Sequence, residues 1–316
     1  MRAPEVVTMG RIGVDLYPEQ HGVPLADVRT FRKALGGSPT NVAVAAARLG
    51  RRAAVVTKVG DDAFGAFCRT ALEGFGVDTR WVGAAAQLRT PLAFCEIHPP
   101  DHFPLLFYRE PTAPDLCLDR ADLDLPALAS APVLWTTGTG LSREPSRAAT
   151  LAAMDARDPD GWTVHDLDAR PMLWERPADH GPFAVEAVRR ASVVVGNTAE
   201  AAVAVGDGSA LKQARALLAL GPRLAIVKRG PQGTLAVTAD EVVDLAAAPT
   251  RVVNGLGAGD AFGGALCHGL LAGWGLDRLI RFANAAGAIV AGRLLCADDM
   301  PSEREILHIL DTEDAP

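Results

Sequence analysis

Short apolar runs of strand length alternate with helical patterns along most of this 316-residue chain. The strand-like runs occupy residues 6–10, 53–60, 133–136, 162–166, 192–196, 225–228 and 234–238. This alternation predicts an α/β domain in which helices cover both faces of a parallel sheet. Because ligands bind such sheets at the carboxyl ends of the strands, functional residues are expected there.

Residues 90–107 interrupt the alternation, because two apolar runs flank a Pro-Pro pair there. Such a pattern predicts a hairpin-like excursion, and together with the polar loop that contains Asp15 it forms a candidate lid. Hydrophobic residues make up 49% of the chain and charged residues 22%, which is enough for one large core. We therefore expect a single domain over 1–316, with lid segments inserted at approximately 11–33 and 90–113.

The charge balance and the cysteines exclude several functional classes. A formal net charge of −7 gives no general attraction to nucleic acid or to an anionic membrane surface. No uncharged apolar run reaches the ~18 residues of a membrane span, and no signal peptide is visible. The five cysteines are scattered without a CxxC pair, which is typical of reduced thiols. These features predict a cytoplasmic protein that captures anionic ligands at a local site.

Three glycines at alternate positions run into an acid in the sequence NGLGAGD at 254–260, and a helical pattern follows. Glycine lets the backbone approach a ligand closely, and successive N–H groups at a helix start form an anion cradle. Asp260 stands at the rim of this cradle, where a carboxylate can take a proton from a hydroxyl beside a bound phosphate. The turn therefore indicates phosphoryl transfer to an alcohol, with an ordinary glycine turn that caps a helix as the alternative.

Three further motifs place polar groups at the ends of strands or helices. The sequence GGSPTN opens a helix and ends at Asn41, whose amide can both donate to and accept from sugar hydroxyls. Asn197 and Glu200, in NTAE, either organise water around a magnesium–phosphate complex or form only a capping box. Lys228 begins KRGPQG after a strand, and it lies either near nucleotide phosphates or at a solvated edge.

These four motifs, in this order, resemble those of the PfkB (ribokinase-like) sugar kinases over nearly the whole chain. The resemblance implies a Rossmann-like parallel sheet flanked by helices, with a small β-sheet lid. It also implies ATP and Mg²⁺ as cofactors, a sugar as the small-molecule partner, and a possible homodimer, since lids in this family often pair between subunits. By this resemblance Asp260 is the catalytic base, and the backbone amides of Gly257, Ala258 and Gly259 form the anion hole.

The resemblance assigns ligand-binding residues as well. The positions that match sugar-binding residues are Asp15, Gly37 and Asn41. The positions that match the nucleotide site are Asn197, Lys228, Gly230, Gly255 and Asn284, of which the last lies beside adenine. Glu200 matches a position near the metal.

Asn254 departs from the family pattern. Many members have an acid at this position, and that acid helps to bind a monovalent cation. A neutral amide holds a cation less firmly, so the requirement for potassium stays open. The departure leaves Asp260, and therefore the chemistry, intact.

Two arginines indicate an acidic sugar as the substrate. Arg109 ends the candidate lid and Arg170 follows the strand at 162–166, and the planar guanidinium fits a carboxylate. The alternative for each is an ordinary ion pair, of Arg109 with Glu110 or of Arg170 with a nearby aspartate.

The segments GRIGVDLYP, FYREPTA, RPMLW and CADDMP resemble the 5-dehydro-2-deoxygluconokinase branch of the family, which acts in myo-inositol catabolism. Ala169 stands where that branch is expected to have tyrosine, which counts against the assignment. We expect an ATP-dependent kinase that phosphorylates the terminal hydroxyl of 5-dehydro-2-deoxy-D-gluconate. The alternatives are a 2-keto-3-deoxygluconate kinase, a fructokinase- or ribokinase-type kinase of a neutral sugar, and a non-catalytic regulator that binds a sugar or nucleotide.

Overall fold

The computed structural model describes residues 2–313. Its larger sheet contains the strands β1 (Val6–Met9), β4 (Ala53–Gly60), β5 (Val82–Ala85), β8 (Val133–Thr137), β9 (Trp162–Asp166), β10 (Val193–Asn197), β11 (Leu224–Lys228), β12 (Thr234–Val237) and β13 (Val242–Leu245). Its smaller sheet contains β2 (Gly13–Pro18), β3 (Phe31–Gly36), β6 (Leu92–Cys95) and β7 (Leu105–Tyr108). The helices are α1 (Ser38–Arg48), α2 (Ala63–Gly74), α3 (Leu125–Ser130), α4 (Ser146–Asp155), α5 (His180–Val188), α6 (Thr198–Val205), α7 (Ala210–Leu218), α8 (Ala258–Leu271), α9 (Leu276–Ala291) and α10 (Glu303–Glu313).

The larger sheet has the strand order β13-β12-β11-β10-β9-β8-β1-β4-β5 within the described residues. Neighbours from β11 to β5 pair in parallel, and β12 is antiparallel to both of its neighbours. Alternate side chains of each strand point to opposite faces, so Val193 and Val195 pack in a different cluster from Val194. Helices α1, α8 and α9 cover the first face, and α6 and α7 cover the second around Val194. The predicted α/β class is confirmed.

Helix α8 packs unusually close to its neighbours. A Cβ added at Gly264 would lie 2.3 Å from the Cβ of Ala45 on α1, and one at Gly263 would lie 2.6 Å from the Trp135 ring on β8. Glycine at both positions therefore lets the helix press against α1 and the sheet. This packing fixes where the N-terminus of α8 meets the carboxyl ends of the strands.

The smaller sheet has the order β3-β2-β6-β7, and the predicted hairpin is present as the antiparallel pair β6–β7. The prediction that Asp15 lies in a polar loop is wrong, because Asp15 lies in β2 opposite Ala34 of β3. Strand β2 pairs with β3 on one side and β6 on the other. These long-range pairings outweigh the weak strand preference of its own sequence. None of the helices within residues 2–313 combines the length and the apolar character that a membrane span requires.

Candidate active site

A cavity of about 910 Å³ lies between the carboxyl ends of the central strands and the smaller sheet. Asp166, Asn197 and Lys228 enter it from the ends of β9, β10 and β11. Asp15 and Phe107 enter it from the smaller sheet. The cavity therefore occupies the place where ligands bind open parallel sheets.

The glycine turn before α8 forms one wall of this cavity. Gly257 is the N-cap residue of α8 with φ +81°, and a Cβ there would lie 2.5 Å from the Cys296 Sγ atom. Both facts require glycine at position 257. The first N–H groups of a helix have no partner within it and carry partial positive charge, so the turn offers an anion cradle. Gly255, Ala258 and Gly259 line the cavity with it.

Asp260 lies in the first turn of α8, and two side chains of α1 hold its carboxylate. Ser38 Oγ donates a hydrogen bond to Asp260 Oδ1 (2.7 Å), and Asn41 Nδ2 donates one to Oδ2 (2.8 Å). Burial raises the pKa of Asp260 to about 6, although these two hydrogen bonds act to lower it. The group is therefore an oriented base that is ionised at neutral pH.

Sequence reasoning missed Ser38 and expected Asn41 to bind the sugar. The structure places both on the base, because residues three apart in the first turn of α1 lie on the same face. The available signal was the position of Ser38 directly after Gly36-Gly37, at the start of the helix.

Two cations and three acids line the cavity at the strand ends beside α8. Arg170 lies 2.9 Å from Asp168 and 3.4 Å from Glu200, while Lys228 Nζ lies 4.0 Å from Asp166 Oδ2. Burial raises the pKa of Asp166 and Lys228 opposes this rise. Burial would lower the pKa of Lys228, but Asp166 and the acids around it raise it. Both cations therefore stay charged and balance the acids around them.

The sequence left Asp166 and Asp168 only as ion-pair partners, but both line the cavity. Asp168 has φ 30°, a value that a non-glycine residue seldom adopts. Backbone strain of this kind concentrates at functional sites.

The capping box at Asn197 and Glu200 is present. The Asn197 N–H donates to Glu200 Oε2 (2.8 Å), and the Glu200 N–H donates to Asn197 Oδ1 (2.9 Å). Both residues also line the cavity, so the capping and the binding interpretations apply together. The box fixes the Glu200 carboxylate while its Oε1 atom accepts from Arg170.

The far end of the cavity is an apolar slot beside α9. Asn284 accepts a hydrogen bond from Thr234 Oγ1 (2.7 Å) and lies in this slot together with Gly230. The apolar lining residues are Ala247, Ala248, Pro249, Val252, Ala288 and Ala291. A flat apolar ring such as a nucleobase fits this lining.

The end beneath the smaller sheet is more polar. Tyr17 Oη lies 3.2 Å from Asp15 Oδ2 and 2.8 Å from Cys296 Sγ, and its single O–H can donate to either of them. Burial raises the pKa of Asp15 and the positive charge of Arg11 lowers it. The Arg11 guanidinium lies over the Phe107 ring, 5.3 Å from its centroid. Sequence reasoning gave Arg11, Tyr17 and Phe107 no role in the site, although the segments GRIGVDLYP and FYREPTA contain them.

Arg109 and Gly37 do not line the cavity in the described part of the chain. Arg109 Nη2 donates to Asp115 Oδ2 at 2.7 Å, and only 5% of the arginine side chain is exposed. Gly37 has φ +112°, and a Cβ there would lie 2.2 Å from the Arg11 carbonyl oxygen. It therefore permits the tight approach of β3 to the segment after β1.

The surroundings of Asn254 decide whether this position suits a monovalent cation. It is fully buried; its amide donates to the Leu294 carbonyl (2.8 Å) and accepts from the Leu256 N–H (3.0 Å). A cation needs acceptor groups around it, whereas this side chain presents a donor to that carbonyl. The residue present does not fit the ion.

Residues 3–303 match the family model described as pfkB family carbohydrate kinase. A 5-dehydro-2-deoxygluconokinase of Halalkalibacterium halodurans is 31% identical, with 98% of this chain and 95% of the relative covered. An uncharacterised sugar kinase of Pyrococcus horikoshii, solved with ATP, is 25% identical with a TM-score of 0.80, covering 96% of this chain and 99% of its own. A fructokinase double mutant of Vibrio cholerae, solved with fructose, ADP and a potassium ion, is 25% identical with a TM-score of 0.85, covering 98% of this chain and 100% of its own. This chain belongs to the pfkB family of carbohydrate kinases and is a phosphotransferase that acts on a sugar hydroxyl.

Proposed function

We propose that this kinase transfers the γ-phosphoryl group of ATP to the terminal hydroxyl of 5-dehydro-2-deoxy-D-gluconate, in inositol catabolism. One observation carries the kinase chemistry: the Asp260 carboxylate lies in the first turn of α8, beside the anion cradle and facing the cavity. Relatives with that substrate in their names, at about 30% identity over nearly the whole chain, support the choice of sugar acid.

Asp260 accepts the proton of the attacking hydroxyl. Ser38 donates a hydrogen bond to one carboxylate oxygen and Asn41 donates one to the other. Each oxygen keeps a free lone pair that can accept a hydrogen bond from the substrate hydroxyl. The backbone amides at the start of α8 stabilise the charge on the transferred group, and Lys228 lies beside them. A Cβ built at Gly259 would meet Lys228 Nζ at 3.1 Å, which locates the ammonium group over this turn. Positioning and electrostatic stabilisation supply most of the acceleration.

ATP is proposed to lie with its adenine in the apolar slot beside Asn284 and its phosphates along Gly255, Lys228 and Asn197. Glu200 and Asp166 offer the carboxylate oxygens that Mg²⁺ prefers, and the ion would neutralise phosphate charge when bound. Within residues 2–313, no three acidic, histidine or cysteine side chains form a group that could hold a metal ion. This fits an ion that keeps several waters and takes further ligands from the nucleotide.

The proposal is tested by a coupled ADP-release screen of the purified enzyme with ATP and Mg²⁺. The substrates are 5-dehydro-2-deoxygluconate, 2-keto-3-deoxygluconate, fructose, ribose and adenosine. We expect the highest kcat/KM for 5-dehydro-2-deoxygluconate. A higher value for fructose, ribose or adenosine would overturn the choice of an acid, and silence across the panel would favour a non-catalytic regulator.

A further inference from the structure

A sugar acid brings a carboxylate into a cavity that is already acidic. Asp15, Asp166, Asp168, Glu200 and Asp260 all line it. Burying a further negative charge among these groups requires a dedicated cation. The side chains that could supply it are therefore few, and their existing partners decide which one is free.

Among the described residues that line the cavity, the cationic side chains are Arg11, Arg170 and Lys228. Arg170 bridges Asp168 and Glu200, with nitrogen–oxygen distances of 2.9 and 3.4 Å. Lys228 lies near Asp166 and over the first turn of α8, where the transferred phosphoryl group is proposed to lie. Both are therefore paired with carboxylates at the phosphate end of the cavity, the part beside the first turn of α8 that is proposed to hold the transferred phosphoryl group.

Arg109, the arginine that the sequence suggested, is enclosed in the protein. Its ion pair with Asp115 is almost completely buried, with 5% and 3% of the two side chains exposed. Its Nε and Nη1 atoms have no hydrogen-bond partner in residues 2–313, but they are also inaccessible from the cavity. A ligand cannot contact them in this conformation, so the pair supports the end of β7.

Arg11 differs from Arg109 both in its exposure to the cavity and in its lack of an ion-pair partner within residues 2–313. It follows β1 at the carboxyl edge of the sheet, is only partly buried and lines the cavity. Its guanidinium lies over the Phe107 ring of β7, and no ion pair or hydrogen bond engages it within residues 2–313. A cation–π contact with a ring uses no N–H group of the guanidinium, so these groups stay free for another partner.

The proposed sugar end is the polar part of the cavity beneath the smaller sheet, where Asp15 and Tyr17 lie, and Arg11 has a fixed position relative to it. Its charge acts on Asp15, which lies in β2 and lines the same part of the cavity. Its carbonyl oxygen packs against Gly37, where a Cβ would come within 2.2 Å. The backbone of Arg11 is therefore held between β1 and the start of α1.

We propose that Arg11 binds the carboxylate of the sugar acid and thereby selects acidic over neutral sugars, while Asp15 binds hydroxyls beside it. This inference rests on the proposed sugar-acid substrate. The free N–H edge of the guanidinium matches the two oxygens of a carboxylate. Phe107 lies against the guanidinium, so a residue of the smaller sheet helps to position the group that selects the substrate.

The test compares Arg11→Met with Arg109→Met in steady-state kinetics, using 5-dehydro-2-deoxygluconate and fructose as acidic and neutral acceptors. Arg11→Met removes the charge and keeps much of the apolar surface that packs on Phe107. We expect it to raise KM for the acid about 10- to 100-fold, with kcat and the fructose KM changed less than about threefold. Arg109→Met leaves Asp115 buried without its cation, so we expect a lower Tm and a similar proportional change for both acceptors.

Equal shifts of KM for the two acceptors in Arg11→Met would overturn the inference, as would an acid-specific loss confined to Arg109→Met. Unchanged fructose kinetics and an unchanged Tm show that Arg11→Met is folded. A wild-type enzyme without activity on the acid overturns the proposed function and this inference together. An active wild-type enzyme whose Arg11→Met variant keeps its KM for the acid overturns this inference alone.

Discussion

The proposed phosphate end of the cavity, beside the first turn of α8, and the proposed sugar end, beneath the smaller sheet, are built in different ways. At the phosphate end, the binding groups are backbone amides of one helical turn and side chains at strand ends. At the sugar end, Asp15 comes from β2 and Phe107 from β7. These strands are far apart in the chain but belong to the same small sheet. The first end is therefore specified locally, whereas the second depends on how distant strands pair.

The two ends also differ in how their charges are balanced. At the phosphate end Arg170 and Lys228 already face Asp166, Asp168 and Glu200. At the sugar end Arg11 stacks on an aromatic ring, and its guanidinium has no ion-pair partner in the described chain. Groups with fixed partners are preorganised for the reaction, and a free guanidinium is available to the substrate. We therefore propose that the reaction and the choice of sugar depend on different parts of the cavity.

Asp260→Asn is the strongest test of the phosphate end. We expect kcat to fall by about 10²- to 10⁴-fold, because the base is lost while the cradle remains. The Asn41 Oδ1 atom has no hydrogen-bond partner within residues 2–313, so the Asn41 amide can rotate to accept from the new amide. The Kd for ATP, measured by calorimetry, should therefore stay within about threefold. Near-native turnover would remove Asp260 from the role of base.

The pH dependence follows from the pKa of Asp260, which burial raises to about 6. In the wild-type enzyme, kcat/KM should rise with pH up to about 6 and then level off, since the ionised form is the base. The native state also binds this proton more tightly than the unfolded chain, so ionisation of Asp260 lowers stability as the pH rises from about 4 to about 6. The Tm of Asp260→Asn minus the Tm of the wild type should therefore be larger at pH 7.5 than at pH 5.

The phosphate end could be predicted from the sequence because its signals are local. The glycine turn, the NTAE capping box and the lysine at a strand end each lie within a few residues. The support of Asp260 could not be predicted, since Ser38 and Asn41 lie 222 and 219 positions away in the chain. That contact exists only because α1 packs against α8.

The sugar end was harder for the same reason. Strand–helix alternation predicts the larger sheet, but the sequence of β2 contains polar Asp15 and becomes a strand only through its pairing with β3 and β6. For Arg109 the sequence suggests a substrate carboxylate as the partner, with its neighbour Glu110 as the alternative. The chain instead turns after β7 and brings Asp115 to the guanidinium.

Gly257→Ala tests whether the backbone geometry of the turn matters at the phosphate end. Gly255→Ala is its control, because it adds the same methyl group where no positive φ is required. Alanine at 257 must adopt φ near +81° and meets Cys296 Sγ at 2.5 Å, so the turn must shift. A cradle donor is then displaced, and we expect kcat to fall about 10- to 100-fold. Alanine at 255 meets only the Phe103 ring, at 3.0 Å, and a change below about fivefold is expected. Equal losses in the two variants would show that the cradle does not depend on this geometry.

The smallest expected effect is that of potassium on the wild-type enzyme. Because Asn254 does not fit a monovalent cation, we expect the enzyme not to need one. The Vibrio cholerae fructokinase was solved with a potassium ion. In this chain the buried Asn254 amide links the Leu294 carbonyl to the Leu256 N–H, and so ties the turn before α8 to the segment after α9. Replacing potassium with tetramethylammonium at constant ionic strength should change kcat/KM less than about twofold.

Asn254→Asp and Asn254→Ala show whether the amide takes over a structural task from an ion. In Asn254→Asp a carboxylate faces the Leu294 carbonyl, acceptor against acceptor, and the lost hydrogen bond should cost about 1–3 kcal/mol in potassium-free buffer. Potassium should recover part of the Tm and activity of this variant, because a cation can bridge two acceptors. Asn254→Ala lacks both hydrogen bonds and the acceptor, so its Tm should be low with or without potassium. Stimulation of the wild-type enzyme more than tenfold by potassium would contradict this account, since the Asn254 donor would then have to leave the carbonyl to admit the ion.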